Sequence, residues 1–386
     1  MKNLSIYLLA IGTFLTGTSE MIVAGIVNII AKDLHITVAL AGQLVTAFSL
    51  AFAIGTPIIV TITSRLERKK VLLGSLGFFL VGNLISSFPF PYFVLLTARV
   101  ILGASAGVFI VVAMSVASKL VSADKIGNAI STVSLGFGTA LVLGVPAGVA
   151  LTGWLGWKSI FILLAVFSFF IMIPLAKLIP TLEGEEPVSI RQQLSILKNG
   201  KIFNGLLIFF FLITGYGASY TYLTPFLQEN LHLDMNTISL SMLIFGIFSI
   251  IGTRFGGYGS DRWGTSVTIV YSVLFHAVFL ITLPFFTDYV YATLFLAALW
   301  VSVSNITIPS LQTYFIQQAP QSSELALSAS TSMAQLGLAT GAGAGGLLVN
   351  ASGTVSYNPW FSALAVGLAF VIGIYLFFSR SRVVSQ

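Results

Sequence analysis

Long apolar runs, separated by short polar loops, are the feature of this sequence that most restricts its fold. Only 8% of its 386 residues are charged, whereas 56% are hydrophobic. Soluble proteins carry roughly a quarter charged residues, so this chain cannot cover a water-facing surface. Lipid must therefore be its solvent, and in lipid the backbone has to satisfy its own hydrogen bonds within helices. The sequence predicts an all-α membrane protein.

The apolar runs repeat at the length that a bilayer requires. A helix needs about 20 residues to cross roughly 30 Å of hydrocarbon. The first run begins at Leu4 and is too long for the core of a signal peptide, so we expect a retained first span. On this basis the sequence predicts twelve spans, near residues 4–30, 40–63, 71–88, 92–117, 127–152, 158–180, 203–227, 236–258, 267–286, 289–315, 325–350 and 357–379.

A polar stretch divides the chain almost in half. The sequence predicts an N-terminal six-helix half over 1–180, a cytoplasmic linker over 181–202, and a C-terminal six-helix half with a short cytoplasmic tail over 203–386. The linker is identified by its polar residues, Glu183, Glu185, Glu186, Pro187, Arg191 and Lys198. The two halves also match at one offset, because Leu34-His35, Gly55-Thr56 and Arg65 recur 197 positions later as Leu231-His232, Gly252-Thr253 and Arg262. We expect two pseudo-symmetric halves that arose by duplication.

The basic residues indicate the orientation of the chain. All but three of its 18 Lys and Arg residues fall in loops on one side, which the positive-inside rule identifies as the cytoplasmic side. The exceptions are Lys32 and Lys158 in outer loops and Arg99 within a span. We therefore expect a multi-pass protein of the cytoplasmic membrane, surrounded by lipid, with both termini in the cytoplasm. The same distribution explains the net charge of +6 without nucleic acid.

Several classes of function lack the residues that they need. The chain has no cysteine, and its three histidines, His35, His232 and His276, lie far apart in sequence. No nucleophile with its base, ring of like charges or G-x-x-x-x-G-K-[ST] segment is present. We expect neither an enzyme, a channel nor an ATP-driven pump, and no metal or cofactor.

Glu20 is the one acidic residue that falls well within a predicted span. An ionisable side chain in hydrocarbon costs at least about 2–3 kcal/mol and is a functional candidate by default. A desolvated carboxyl group can gain and lose a proton near neutral pH, so Glu20 is a candidate proton carrier. The alternative is a structural carboxyl group that only bonds Thr16, Thr18 or Ser19.

Arg99 in the fourth span is the candidate partner of Glu20. At 1.5 Å per residue, Glu20 lies roughly 5 Å and Arg99 roughly 8 Å into the outer half of the bilayer, so the sequence predicts that they meet. Arginine stays charged in essentially any protein setting and needs an acceptor. The alternative is that Arg99 snorkels to the interface or pairs with backbone carbonyl groups.

Four motifs resemble those of a known family. The loop over 64–70 reads SRLERKK, and the loop over 257–264 reads GYGSDRWG; together they resemble the cytoplasmic loop motif of the major facilitator superfamily. Leu95, Arg99 and Gly103 have the spacing of a second motif of that superfamily, and GVPAG over 144–148 resembles its antiporter motif. The resemblance covers the whole chain and implies the drug:proton antiporter branch, which includes bacterial drug, sugar and purine efflux permeases.

The first loop and the fifth span depart from the family pattern. Ser64 stands where the superfamily usually has Asp, and Glu67 stands where it has Gly. The charge relay between the halves would then depend on Asp261 and Arg262. Val145 separates the glycine and proline of the antiporter motif.

The resemblance also implies roles for individual residues. Spans 1, 4, 7 and 10 of the superfamily face a central cavity between the halves, which makes five residues candidates for substrate contact: Tyr216, Tyr220, Trp300, Asn305 and Gln312. The expected conformational-switch residues are Arg65, Arg68, Asp261, Arg262, Gly144, Pro146 and Gly148. For the last three, plain helix packing is the alternative, and the glycine-rich run over 337–346 is expected to play the same part in the second half.

Together these observations predict a secondary transporter of small molecules. The leading hypothesis is proton-coupled efflux by alternating access, with the proton gradient as the driving force and Glu20 and Arg99 as the coupling pair. The alternatives are an efflux permease for one metabolite, such as a purine base, nucleoside, sugar or amino acid, and a proton-coupled uptake symporter. We expect a monomer, as in the superfamily.

Overall fold

The computed structural model describes residues 2–88, 91–122, 126–184, 196–319 and 323–378. Within these residues the secondary structure is helical and contains no strand. In this described part of the chain, eleven helical stretches, some of which continue through a π-helical or 3-10 turn, are long and apolar enough to cross a membrane. The predicted all-α membrane protein is therefore confirmed.

The first compact unit comprises Met1–Ile36 and Gln43–Ser189. In this unit α6 packs against α1 and α5, α1 also packs against α7, and α5 packs against α9. The π-helical turns Ala51–Gly55 and Ala140–Gly144 join α3 to α4 and α7 to α8. The helices are α1 (Lys2–Gly25), α2 (Val27–Asp33), α3 (Val38–Leu50), α4 (Thr56–Ile62), α5 (Arg68–Ser87), α6 (Tyr92–Lys119), α7 (Ile126–Thr139), α8 (Val145–Leu155) and α9 (Lys158–Leu178).

The second unit comprises Thr37–Gly42 and Ile190–Gln386. Its helices are α10 (Gly200–Tyr220), α11 (Leu223–Leu231), α12 (Met235–Trp263), α13 (Thr265–Thr282), α14 (Val290–Gln318), α15 (Ser323–Ser352) and α16 (Asn358–Phe378). Here α10 packs against α15 and α16, α12 packs against α14, and α13 packs against both α14 and α16.

The first and seventh predicted spans are shorter than their apolar runs indicated. The run over 4–30 is interrupted at Ile26 (φ −127°), and the run over 203–227 is interrupted at Tyr222 (φ −108°). Each long helix therefore ends early and is followed by a short helix, α2 or α11. Hydropathy does not register such a break, because it averages over a window of residues and carries no information on backbone dihedral angles.

The predicted eleventh span coincides with α15, which is not among the eleven apolar helices. Its sequence is rich in Gly, Ala, Ser and Thr, which are less apolar than the residues of the other long helices. Much of the predicted linker, including Glu185, Glu186, Pro187 and Arg191, lies outside the described residues, as do Arg380 and Arg382 of the tail. The boundaries of the two halves and of the linker stay predictions.

Two positions that match in the sequence repeat also share an unusual backbone conformation. His35 and His232, which match at the common offset, have φ values of 52° and 53° and are the non-glycine residues of the described chain with positive φ. Left-handed backbone is uncommon for residues other than glycine. The shared conformation supports a common origin for these two turns.

Glycines allow the helices of the first unit to approach closely. A Cβ atom added at Gly136 of α7 would overlap the carbonyl oxygen of Ala10 in α1. Two residues later, Gly138 has no heavy atom within 4 Å of the position that a Cβ atom would take. Small residues at helix crossings are the usual means of packing in lipid, where association has no hydrophobic driving force.

These two glycines give a matched test of the crossing. We expect Gly136→Ala to lower the free energy of unfolding by about 2 kcal/mol, because the backbone of α1 has to move. Gly138→Ala meets no steric conflict and should not lower it, since alanine favours the helix by up to about 1 kcal/mol relative to glycine. Thermal unfolding of both variants in detergent measures the difference, and equal effects would contradict this assignment of the α1–α7 contact.

An ion pair joins the ends of two segments in the first unit. Asp33 at the end of α2 accepts hydrogen bonds from Lys158 Nζ at 3.1 Å and from Trp157 Nε1 at 3.0 Å, both at the start of α9. These two donors hold the pKa of Asp33 below its ordinary value. The charged form of Asp33 is therefore the stabilising one.

We expect Asp33→Asn to lower stability at neutral pH by less than about 1 kcal/mol, since the pair is substantially exposed to solvent. The contribution is present above the ordinary aspartate pKa of about 4 and is lost as pH falls through the lower pKa of the folded state. Thermal unfolding at neutral and at acidic pH should show the difference between wild type and variant shrinking on acidification. Asp288→Asn, at an exposed aspartate, is the control, and a difference that grows on acidification would refute the sign.

Candidate functional site

Arg99 lies in the interior of the first unit with no exposed surface. Its guanidinium group donates to three carbonyl oxygens: Nη1 to Ser19 at 2.8 Å, Nη2 to Glu20 at 3.4 Å and Nε to Leu44 at 3.2 Å. The cation also lies 4.4 Å from the centre of the Phe48 ring, within the range of a cation–π contact. Arg99 thus connects α6 with both α1 and α3.

Local sequence explains how α3 reaches Arg99. Gly103 lies one turn after Arg99 on the same face of α6, and a Cβ atom there would overlap the carbonyl oxygen of Phe48. The absence of a side chain lets α3 approach the α6 backbone. That approach brings the carbonyl of Leu44 and the ring of Phe48 to the guanidinium group.

Glu20 is 2% exposed and lies on α1 beside Arg99, which donates to its main-chain carbonyl at 3.4 Å. The neighbouring hydroxyl groups do not hold it, because Thr16 donates to the Thr13 carbonyl at 3.0 Å and Thr18 donates to the Phe14 carbonyl at 2.8 Å. A hydroxyl group has one proton to donate. The structure therefore brings Glu20 and Arg99 together, and also shows the carbonyl pairing of Arg99 that the sequence left open.

The GVPAG segment packs against α1 next to Glu20. A Cβ atom at Gly144 would overlap Thr18 Oγ1, and one at Gly148 would overlap the Ile22 side chain. Pro146 is buried in the first turn of α8, directly after the π-helical turn that ends at Gly144. Such turns often mark functional positions in helices. The segment has a packing role in this unit, and its role in switching stays a prediction.

The first loop motif contacts the start of the linker. The Arg68 amide donates to the Leu182 carbonyl at 2.9 Å, and Gly184 fits closely against the backbone of Arg65. Arg68 is buried, whereas Arg65 is exposed. In the second unit, Asp261 and Arg262 are exposed at the end of α12. The conformational roles of these four residues stay predictions.

Three predicted substrate residues form one aromatic cluster in the second unit. The rings of Tyr216 and Tyr220 are stacked, with centroids 4.9 Å apart and planes 15° apart. The Trp300 ring lies 5.8 Å from Tyr216. Trp300 and Tyr220 are buried, whereas Tyr216 is partly exposed, so Tyr216 presents the accessible part of the cluster.

The other two substrate candidates are not part of this cluster. Asn305 donates from Nδ2 to the Val301 carbonyl of its own helix at 2.8 Å. Gln312 is exposed near the end of α14. Both residues lie on α14, which corresponds to the predicted tenth span. Within the described residues, however, no ring contact or hydrogen bond joins them to Tyr216.

The sequence did not identify His276 as part of this region. His276 on α13 accepts a hydrogen bond from Trp300 Nε1 at 2.8 Å and has no exposed surface. The position of a histidine within a predicted apolar span could have marked it as a candidate. The wide spacing of the three histidines in the sequence argues only against a metal site. Among the described residues, no group of three or more His, Cys, Asp or Glu side chains is placed to hold a metal ion.

Comparison with known proteins agrees with this architecture. A family model described as "Major Facilitator Superfamily" matches residues 9–324 and 206–386. The chain belongs to this superfamily. The resemblance that its motifs indicated is confirmed, and the protein is a multi-pass membrane transporter of a superfamily whose members are generally not enzymes.

Individual relatives match from about two thirds to nearly all of the chain. The "Uncharacterized MFS-type transporter YbcL" of Bacillus subtilis (strain 168) is 39% identical over 377 residues, which are 98% of this chain and 96% of that protein. The "Chloramphenicol resistance protein" of Streptomyces lividans is 32% identical over 273 residues, 69% of each chain. A crystal structure of a D-xylose-proton symporter shares the fold, with a TM-score of 0.79 and 15% identity over 98% of both chains.

The geometry around Arg99 predicts that the arrangement of its guanidinium N–H donors, as well as its positive charge, contributes to the stability of the first unit. We expect Arg99→Lys to lower the free energy of unfolding by about 2–3 kcal/mol, because an ammonium group cannot reach three separated carbonyls with the same geometry. Thermal unfolding in detergent measures this loss. Arg254→Lys, at an exposed arginine of α12, is the control and should change little; equal stability of Arg99→Lys and wild type would contradict the assignment.

Proposed function

We propose that this protein exports small organic molecules across the cytoplasmic membrane in exchange for protons. The observation that carries the proposal is the buried carboxyl group of Glu20 beside the buried cation of Arg99. A carboxyl group at such a position is costly for a membrane protein and is therefore a functional candidate. The family membership supports a transport function; the proposed driving force is the proton gradient, and the proposal includes no cofactor.

The chemistry of Glu20 and Arg99 suggests how a proton on Glu20 could change the contact between α1 and α6. The ionised Glu20 carboxylate attracts Arg99 through a medium of low dielectric constant, where such attraction is strong. When Glu20 takes up a proton, that attraction is lost, and Arg99 is left with the carbonyls of α1 and α3. Proton uptake from outside would thus weaken the attraction between α1 and α6, and proton release to the cytoplasm would restore it in the same cycle.

The proposal includes an architecture of twelve spans in two six-helix halves, with α15 as the eleventh span. The glycines of α15 support this, because a Cβ atom at Gly341 would overlap the Thr214 carbonyl of α10, a crossing typical of membrane helices. Both termini would lie in the cytoplasm, as the loop charges predict. The partners would be a small-molecule substrate, protons and lipid, and the protein would act as a monomer.

Export rather than uptake is supported by one relative. The protein named for chloramphenicol resistance is 32% identical to this chain, and resistance to an antibiotic is consistent with its export. The aromatic cluster at Tyr216 would favour flat, partly apolar solutes, since aromatic rings offer apolar faces with polar tips. A permease for one metabolite would use the same coupling pair with a narrower range of solutes.

The decisive experiment measures proton movement with purified protein in liposomes that contain a pH-sensitive dye. We expect chloramphenicol, or another solute from a panel of dyes, antibiotics, purines and sugars, to drive solute-dependent proton flux in the direction opposite to solute movement, as antiport requires. Glu20→Gln should abolish proton-coupled transport, because the amide cannot carry a proton, and leave the fold intact.

Glu229→Gln provides the matched control, since it makes the same chemical change at an exposed residue of α11. Its transport should equal that of the wild type. Normal proton-driven transport in Glu20→Gln would remove Glu20 from the mechanism. Proton and solute movement in the same direction would identify a symporter, and solute movement without protons would refute proton coupling altogether.

A further inference from the structure

The hydrogen bond between Trp300 and His276 fixes the chemical state of the histidine. The indole N–H group of Trp300 can only donate, so Nε2 of His276 must offer a lone pair. The imidazole group is therefore neutral, and its proton lies on Nδ1. A doubly protonated imidazolium group would present a second N–H group to the indole and would break the bond.

The contacts of His276 give no reason why a histidine would stabilise the fold at this position. Its Nδ1 atom is buried and has no hydrogen-bond partner within the described residues. A buried N–H group without a partner costs free energy, so an apolar side chain would suit this position better. The charged residues of the helices packed against α13 are Arg254, Asp261 and Arg262, all exposed on α12. Within the described part of the chain, the bond to Trp300 is thus the one hydrogen bond of the His276 side chain.

Trp300 contacts the aromatic cluster and also lines a small cavity. Its ring is tilted by 39° against Tyr216, and Tyr216 stacks on Tyr220. The cavity is lined by Trp300 together with Tyr222 and Asn358. The hydrogen bond from the indole to His276 adds a directional contact with α13 to this packing.

We propose that His276 is a positioning residue for the aromatic cluster: through Trp300 it sets the angle of the Tyr216 ring, which contacts planar aromatic solutes. The inference deepens the proposed function and rests on it for the substrate. It assigns His276 no contact with the solute and no proton transfer. Its effect is on solute affinity, because the cluster is held ready for stacking before the solute arrives.

Nitrogen NMR of the purified protein tests the bond without any solute. With labelled histidine, only three side chains give signals, and His276 should show the tautomer with the proton on Nδ1 and an acceptor Nε2. The Nε2 signal should shift in Trp300→Phe, which keeps an aromatic ring but removes the donor. A proton on Nε2 in the wild type, or an unchanged signal in Trp300→Phe, would overturn the proposal.

Variants of His276 test the positioning. The amide oxygen of His276→Gln can still accept from the indole, whereas His276→Leu cannot. We expect the labelled indole signal of Trp300 to be sharp in the wild type and in His276→Gln, and shifted or broadened in His276→Leu. Phe275→Leu, at an exposed neighbour on the same helix, should leave it unchanged. Identical indole signals in wild type and His276→Leu would refute the role of the bond.

Binding in detergent, without a proton gradient, tests the consequence. We expect the dissociation constant for chloramphenicol to rise about tenfold in His276→Leu, the size of effect expected for one buried hydrogen bond, and to recover in His276→Gln. Equal affinity in wild type and His276→Leu would overturn the link to the solute. Failure of the wild type to bind any aromatic solute would instead count against the proposed function, while the NMR result still decides whether His276 positions Trp300.

Discussion

A permanently charged guanidinium group inside an apolar helical unit is the constraint on which the first unit depends. Taking a charge out of water costs several kcal/mol even after the protein relaxes, so Arg99 needs partners wherever it lies. It obtains them from main-chain carbonyls of α1 and α3, whose oxygens have a second lone pair beyond the helical hydrogen bond. The helices must hold these carbonyls in place, and this requirement links the positions of three spans to one side chain.

Close approach of backbones makes this arrangement possible. Helices in lipid gain little from apolar contact, so their packing relies on small residues that let main chains meet. Gly103 does this beside Arg99, and Gly136 and Gly144 do it along the contact of α7 and the following π-helical turn with α1. In the second unit, Gly252 of α12 lies against the Ser302 carbonyl in the same way. Glu20 therefore lies on a helix that packs closely against α7 and the π-helical turn that follows it.

The sequence predicted the helices and the proximity of Glu20 to Arg99, because hydropathy and depth in the bilayer can be estimated along one chain. Hydropathy marks the spans, and rise per residue gives depth in the bilayer. The sequence was less informative where a helix is interrupted, as at Ile26 and Tyr222. It also attributed chemistry to Asn305 and Gln312 on the grounds of their span alone, whereas Asn305 bonds its own helix and Gln312 is exposed.

What the sequence by itself determined is the solvent of this protein, the helical class and the identity of its buried charges, since these depend on composition and on spacing along one chain. Only the tertiary structure decided which carbonyls receive Arg99, that Thr16 and Thr18 do not hold Glu20, and that His276 bonds Trp300. The physical reason is that a hydrogen bond depends on which faces of separate helices meet, to within a few tenths of an ångström, and no periodicity along one helix specifies the face of another.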